Sequence, residues 1–503
     1  SGLWLAFHHN LREDRKVEDV AKWIALRYLD ASGEVFELDV PMRDLDRDRE
    51  GEEQSFEYPT LVRGEDGALC LFGRGSQRFW WQSIAASGVG PRIALGPEGW
   101  ACRGRRVAAL RLGAEGVLIA RREREGLVVE TLAEPRGGPP PLRPAPILVE
   151  PPAAGRAAAA PVPRRDPASR QGLQTFFGDI QQHSAHSDGI GTADEAYWRA
   201  RFTYGDDFCA LTDHESFLGK RIGPGEWEYL QAVADAHDAP GRFATLIAYE
   251  WTGQRHPGPG HKCVYFPDSG APLISRDTLP RGGDLVEAIA DLGAFASPHH
   301  IGWTGADVDG HRETGQPLWE ICSCHGCYEY AGHPLGQRGD LASAMVHPLL
   351  VQGLRFGFTA SSDSHGLLWH HGESRKRDPY RTGLTAVQAP ECSRAAIFAA
   401  LKARRCYATS GAKILLDLHV GDAPMGSILP WQGQYTLQVE VVGTADLARV
   451  ELVGAAGTLA ELPCRGAFCS ASLQQDATWL YLRVLQEDGE MAWSSPIFFD
   501  AAP

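Results

Sequence analysis

Residues 176–189 read FFGDIQQHSAHSDG, and the fold of the chain turns on this stretch. The apolar run 175–180 has the composition of a buried strand, and Ser187, Asp188 and Gly189 supply turn chemistry soon after it. Between strand and turn stand His183 and His186, with Asp179 and Gln181 just before them. Imidazole and carboxylate crowded onto one strand end suit a borderline or hard divalent metal. A polar turn that happens to be His-rich is the plain alternative.

The texture continues downstream. Strand-like apolar runs are expected at 208–212, 243–249, 262–266, 294–297, 318–321 and 356–360, with helical patterns between several of them. Thr192-Ala-Asp-Glu195 is a capping-box opening, and Pro224 suits the first turn of another helix. Residues 284–292 and 341–347 supply more helical pattern, the latter stopped by Pro348. Alternating strand and helix implies a parallel sheet or barrel, and seven strands suggest a barrel.

Nearly every one of these runs ends in a potential metal ligand. Asp179, Gln181 and His183 close the first, and Asp213 and His214 follow the second in ALTDH. Glu250 ends FATLIAYE, and His261 starts GHKCVYF. His299 and His300 follow AFASP, Glu320 sits in LWEICS, and Asp363 and His365 end FTASSDSH. In a parallel barrel the strand C-termini converge on one face, where loops build the active site. Buried carboxylates gathered there need a cation to offset their mutual repulsion.

The motifs GDIQQHSAHSDG, ALTDH, the Glu of IAYEWT, GHKCVYF, SPHH and SSDSH resemble, in order, those of the PHP (polymerase and histidinol phosphatase) metal-dependent phosphoesterases. The resemblance spans about residues 172–411. The tail RRCYATSG followed by a β module is similar to one bacterial branch of uncertain substrate. The resemblance implies a (β/α)7 barrel and two or three divalent ions (Zn, Mn or Fe). It implies His183, Asp188, His214, Glu250, His261, His299, Asp363 and His365 as ligands, with Glu250 as the bridge. His299 or Asp363 would assist proton transfer beside Glu250, and the sequence does not separate ligand from base. Where the family usually begins His-x-His, this chain has Gln181. An amide oxygen is a weaker ligand than imidazole, so the metal position served by Gln181 is expected to be weak, empty or differently selective.

Other residues carry rival readings. Cys322-Ser-Cys324-His325-Gly-Cys327 fits neither a zinc knuckle nor a haem attachment by spacing, and it follows a barrel strand. His325 is a candidate for the lining of the substrate pocket. Arg381, in YRTGLTAV, would offer a fork to a substrate phosphate or make a structural salt bridge. His370 and His371 sit in a Gly- and charge-rich loop and read as exposed.

At 503 residues the chain is long for one domain. Residues 1–134 read as a β-rich module of short strands at 68–72, 78–84, 107–112 and 116–120, with a helix near 17–28. Phe79, Trp80 and Trp81 there are either a ligand platform or sheet packing. Residues 135–171 hold 11 of the 33 prolines and read as an extended linker or strap. Residues 172–411 form the expected barrel. Residues 412–503 read as a small β-sandwich, with strands at 414–420, 434–442, 448–453, 479–485 and 494–499.

Lys and Arg total 49 against 64 Asp and Glu, a formal net charge of −15, which disfavours general binding to nucleic acid or anionic membrane. No apolar run reaches about 18 residues, so no transmembrane helix is expected. SGLWLAFHHNLRED does not read as a signal peptide, and 11 scattered cysteines read as reduced thiols; a cytoplasmic protein is expected. The fold class is α/β: a central (β/α)7-type barrel between an N-terminal β-rich module and a C-terminal β-sandwich. The expected activity is hydrolysis of a phosphate ester on a small phosphorylated substrate, by metal-activated water. Hydrolysis of another ester, sulfate or amide bond is one alternative. A non-catalytic metal-containing binding protein is the other.

Overall fold

The structure is a computed structural model that describes residues 2–10, 22–40, 57–74, 79–96, 107–123, 126–145, 166–184, 186–189, 192–217, 220–365 and 382–500. The chain divides into two compact units, Ser1–Val162 and Pro163–Pro503.

In the first unit, strand Leu69–Arg74 explains the layering. Its side chains alternate between faces, and both faces are buried. Leu69 and Leu71 pack with Ile24, Leu26 and Leu38, while Cys70 and Phe72 pack with Val107, Val117 and Ile119. One sheet built on Glu57–Arg63, Leu69–Arg74 and Phe79–Ala85 is thus covered on both sides by β-structure. Phe79 and Trp80 join those two cores in turn, which makes the aromatic cluster sheet packing. The helix expected near 17–28 is corrected: Lys22–Asp30 is a strand paired along its length with Gly2–Asn10. The buried residues Ile24 and Leu26 are two apart, the strand period, and an apolar stretch this short fits either period. Leu142–Pro144, within the expected linker, adds an edge strand to Val35–Leu38. Proline is tolerated at an edge because its missing N–H costs no ladder bond there.

In the second unit, Gln174–Asp179 lies between Phe208–Ala210, which is parallel, and Leu384–Ala389, which is antiparallel. Gly178 permits the first contact, since a Cβ there would stand 2.2 Å from the Phe208 carbonyl oxygen. The sheet continues through Ala244–Thr252 (parallel), then His261–Phe266 and Phe295–Pro298 (each antiparallel to the last). Leu318–Ser323 and Gly357–Ala360 pair parallel in a separate small sheet. Among the described residues these ladders do not join into a closed ring.

Strand parity decides which side chains reach the site. In Ala244–Thr252, Ile247, Tyr249 and Trp251 pack outward against helices Ala193–Arg199, Pro224–His237 and Gly282–Asp291. Ala244, Leu246 and Ala248 face the inner core, and Glu250 shares their parity. The antiparallel His261–Phe266 presents its first residue at that same end, with Cys263 and Tyr265 on the inner face. That is why His261 begins its run while the other candidates end theirs.

The helices follow their caps. Thr192 accepts from the Glu195 N–H at 3.1 Å, and Ser393 from the Ala396 N–H at 3.2 Å. The helix expected to stop at Pro348 is corrected: Val346–Val351 contains Pro348 at its third position. The first-turn N–H groups have no partner within a helix, so proline costs little there.

After Cys406–Thr409 the sheet runs on into Met491–Ser494, Trp479–Gln486 and Leu447–Gly454. A second sheet built on Leu415–Val420, Tyr435–Val442 and Phe468–Gln475 faces them across a core that includes Leu416, Leu437, Val439, Val450 and Leu482. No helix among the described residues is long and apolar enough to cross a membrane.

Candidate metal centre

The 183–189 turn is folded by one carboxylate. Asp213 accepts from the N–H and Oγ of Ser184, at 2.8 and 2.6 Å, and from the N–H and Oγ of Ser187, at 3.1 and 2.5 Å. Asp213 is therefore the anchor of the turn, which carries His183 and Asp188 into the site. Asp179 does the same for the SSDSH loop, accepting from the Ser362 N–H and Oγ. A short parallel bridge sets His214 beside Glu250, and the His214 Nδ1 lies 2.7 Å from Thr252 Oγ1.

Of four donor groups among the described residues, three lie here: His183, Asp188, His214 and His365; Glu250, His261, His299 and His300; and His300, His325 and Asp363. They are continuous. Glu250 lies 3.4 Å from His183, 3.1 Å from His214, 2.7 Å from His261 and 3.2 Å from His299. Asp363 lies 3.2 Å from His183 and 2.9 Å from His325. Asp188 lies 3.2 Å from His365 and 3.6 Å from His214.

Several of these approaches lack hydrogen-bond geometry. His183 Nε2, Asp188 Oδ1, Glu250 Oε1, His261 Nδ1 and His299 Nε2 are buried and have no hydrogen-bond partner. Leaving so many buried polar atoms unpaired would cost about 1–3 kcal/mol each. Atoms bound to one ion at about 2.1 Å stand roughly 3 Å from one another, which matches the spacing here. The residues present fit a divalent metal.

The charges point the same way. Burial works to raise the Glu250 pKa, but His214, His299 and His183 hold it well below the carboxylate range. Burial likewise opposes ionisation of Asp363 and Asp188, and neighbouring imidazoles depress both. In return, burial works against the charged forms of His183 and His299, yet the carboxylates raise both well above the ordinary value, and His365 is raised in the same way. His261, where burial dominates, falls to about 4.

Of the candidates read from the sequence, His183, Asp188, His214, Glu250, His261, His299, Asp363 and His365 come together, and His325 joins them against Asp363. Gln181 is beside them, but its amide is engaged. Nε2 faces Glu250 Oε2 at 3.4 Å, and Oε1 accepts from Ser361 at 3.1 Å. Arg381, His370 and His371 lie outside the described residues. Glu320 supports the site, accepting from the His300 N–H and from Ser361.

His300, a strand-end candidate outside the ligand set that the resemblance implies, belongs to two of the donor groups. Strand alternation awards only one residue of the His299-His300 doublet to the inner face. His300 turns back through a left-handed backbone, φ 36°, and Asp363 also has positive φ, 52°. Such conformations cost of order 1–3 kcal/mol and gather at functional sites. The doublet was the only signal in the sequence.

The family model for a protein of unknown function (DUF3604) matches residues 214–282 and 369–427. An uncharacterized protein of Chlamydia pneumoniae is 34% identical over 56% of this chain and 50% of its own length. One of Chlamydia trachomatis is 28% identical over 49% of this chain and 42% of its own length. The chain spans about half the length, or less, of these relatives. A solved two-domain protein from Bacteroides vulgatus, containing a predicted PHP-like metal-dependent phosphoesterase, aligns over 65% of this chain and 96% of its own. Its TM-score of 0.34 and 15% identity are too remote to bear on the assignment.

Proposed function

We propose that this chain is a metal-dependent hydrolase of phosphate esters, built on a (β/α)7-type barrel. The observation that carries the reading is the Glu250 carboxylate, within 3.4 Å of four imidazoles and with Oε1 unpaired. His183, Asp188, His214 and His365 would hold one ion, and Glu250, His261, His299 and His300 another, with Asp363, His300 and His325 offering a third position. Bound ions would lower the pKa of a water to make a nucleophile and would neutralise phosphoryl oxygens.

The chain's own residues do the rest. Glu250 spans the first two groups and fixes their spacing. His325 and Asp363, 2.9 Å apart, can pass a proton toward a leaving oxygen. Asp188 and His365, 12% and 21% exposed, mark the side open to substrate. The Gln181 brace favours a second reading, a metal-containing binding protein that turns over no ester. A panel of phosphomonoesters and phosphodiesters, run on the full chain with Zn, Mn or Fe supplied, tests both. Metal-dependent release of phosphate or alcohol supports the hydrolase. Stoichiometric metal without turnover of any ester supports the binding protein.

A further inference from the structure

Beside the third donor group stands a feature that metal chemistry does not use. The indole of Trp303 lies 4.9 Å from the ring of His300 and 5.0 Å from that of His325. Against that indole sit two guanidinium groups, Arg338 at 3.6 Å and Arg255 at 4.4 Å from the ring centroid. The sum of those distances keeps the two charges within 8.0 Å of each other. Like charges held this close repel, and a cation–π contact is worth only about 0.5–2 kcal/mol.

The arrangement is built rather than accidental. Both arginine-bearing loops are tied by backbone to Ile301–Thr304, the short helix that carries Trp303. His256 N–H donates to the Thr304 carbonyl at 2.7 Å, and a Cβ on Gly260 would stand 2.1 Å from the Gly305 oxygen. On the other side Leu341 N–H donates to the Gly302 carbonyl at 3.0 Å, and a Cβ on Gly339 would meet that carbonyl at 2.3 Å. Arg338 N–H in turn donates to the His325 carbonyl at 2.8 Å. Three separate loops, following different strands, are thus locked with their cations around one ring at the edge of the metal centre. Arg255 is exposed and makes no ion pair among the described residues, so its fork is open to solvent.

We infer that Arg255 and Arg338, stacked on Trp303, form a recognition site for a second oxyanion of the substrate, a carboxylate or phosphate some atoms away from the scissile phosphate. Guanidinium presents a planar fork of donors matched to carboxylate and phosphate oxygens. The indole fixes the fork's orientation, so less freedom is lost on binding. This inference rests on the phosphoester reading for its scissile group, and it narrows the substrate class to phosphate esters with a further negative charge.

The test is a difference in binding, measured by calorimetry on the full metal-loaded chain. Phosphoserine and phosphoethanolamine differ by one carboxylate. Glycerol bisphosphate and glycerol phosphate differ by one phosphate. The wild type is expected to bind the more anionic member of at least one pair tenfold or more tightly, and that pair names the oxyanion. Arg255→Gln and Arg338→Gln should each bring the ratio close to one. Ratios near one in the wild type for both pairs overturn the inference, as does a ratio that survives both substitutions. Discrimination without hydrolysis of any ester in the phosphomonoester and phosphodiester panel would remove the hydrolase reading and leave the oxyanion site standing. Hydrolysis without discrimination would do the reverse.

Discussion

Gln181 Nε2 lies 3.4 Å from Glu250 Oε2, while Gln181 Oε1 accepts from Ser361 Oγ at 3.1 Å. Both ends of the amide are used, and Ser361 shares its one hydroxyl proton between Gln181 and Glu320. The side chain therefore braces the carboxylate that joins the first two donor groups. An imidazole there would face the same carboxylate with a lone pair to offer a metal.

Gln181→His should accordingly raise metal stoichiometry or affinity with the fold intact. Elemental analysis of the two proteins, purified side by side, measures it. Equal content and equal retention under chelator would mean that the brace does not limit the site.

Metal uptake should depend on pH through the histidines. Neighbouring carboxylates raise the pKa of His183, His299 and His365 in the metal-free protein. A raised pKa favours the protonated, metal-free form, so affinity increases with pH until those values are passed. As the dialysis buffer is made more acidic, occupancy should start to drop while the pH is still above about 6.5, the ordinary histidine value, and should keep dropping at lower pH. Occupancy that stays flat to about pH 5.5 would show that these imidazoles are not ligands.

Away from the metal centre, Glu329 is fully buried and accepts from Tyr481 OH at 2.6 Å, Arg483 Nη1 at 2.8 Å and Trp493 Nε1 at 2.8 Å. It ties a loop of the central region to the C-terminal strands. Glu329→Gln should cost about 1–3 kcal/mol, because it removes the charge from the bonds to Tyr481, Arg483 and Trp493 while Arg483 keeps its pair with Glu451 at 2.9 Å. Burial works to raise the Glu329 pKa, but His333, Arg483 and Tyr481 depress it. A depressed folded pKa stabilises above the unfolded value, about 4.3, and that contribution fades as pH falls through the folded value. The gap between wild type and variant in denaturant unfolding should be full near pH 7 and shrink below about pH 4.3. A gap that does not vary with pH would assign the loss to packing instead of charge.

Much of the site was legible because metal ligands are chemically distinctive and strand ends repeat. The strand-end pattern pointed to one face, and the eight residues that the family resemblance implied as ligands lie together there. What escaped depended on backbone geometry or on long-range bonding. His300 enters through a left-handed φ that no periodicity announces. Asp213 reads as a ligand in ALTDH, yet it is consumed by Ser184 and Ser187, nearby in space and far in sequence. The helix expected near 17–28 rests on a short apolar stretch that carries both periods, and the pairing of Lys22–Asp30 with Gly2–Asn10 decides for the strand.

The central claim is that the Glu250 cluster holds metal. Elemental analysis of the full wild-type chain beside Glu250→Gln, both purified without chelator, tests it most directly. The account predicts at least one tightly held divalent ion per wild-type chain and a clear loss in the variant, with the circular dichroism of the two alike. A wild type that carries no metal after loading and desalting, or a variant that keeps the wild-type content, would contradict it.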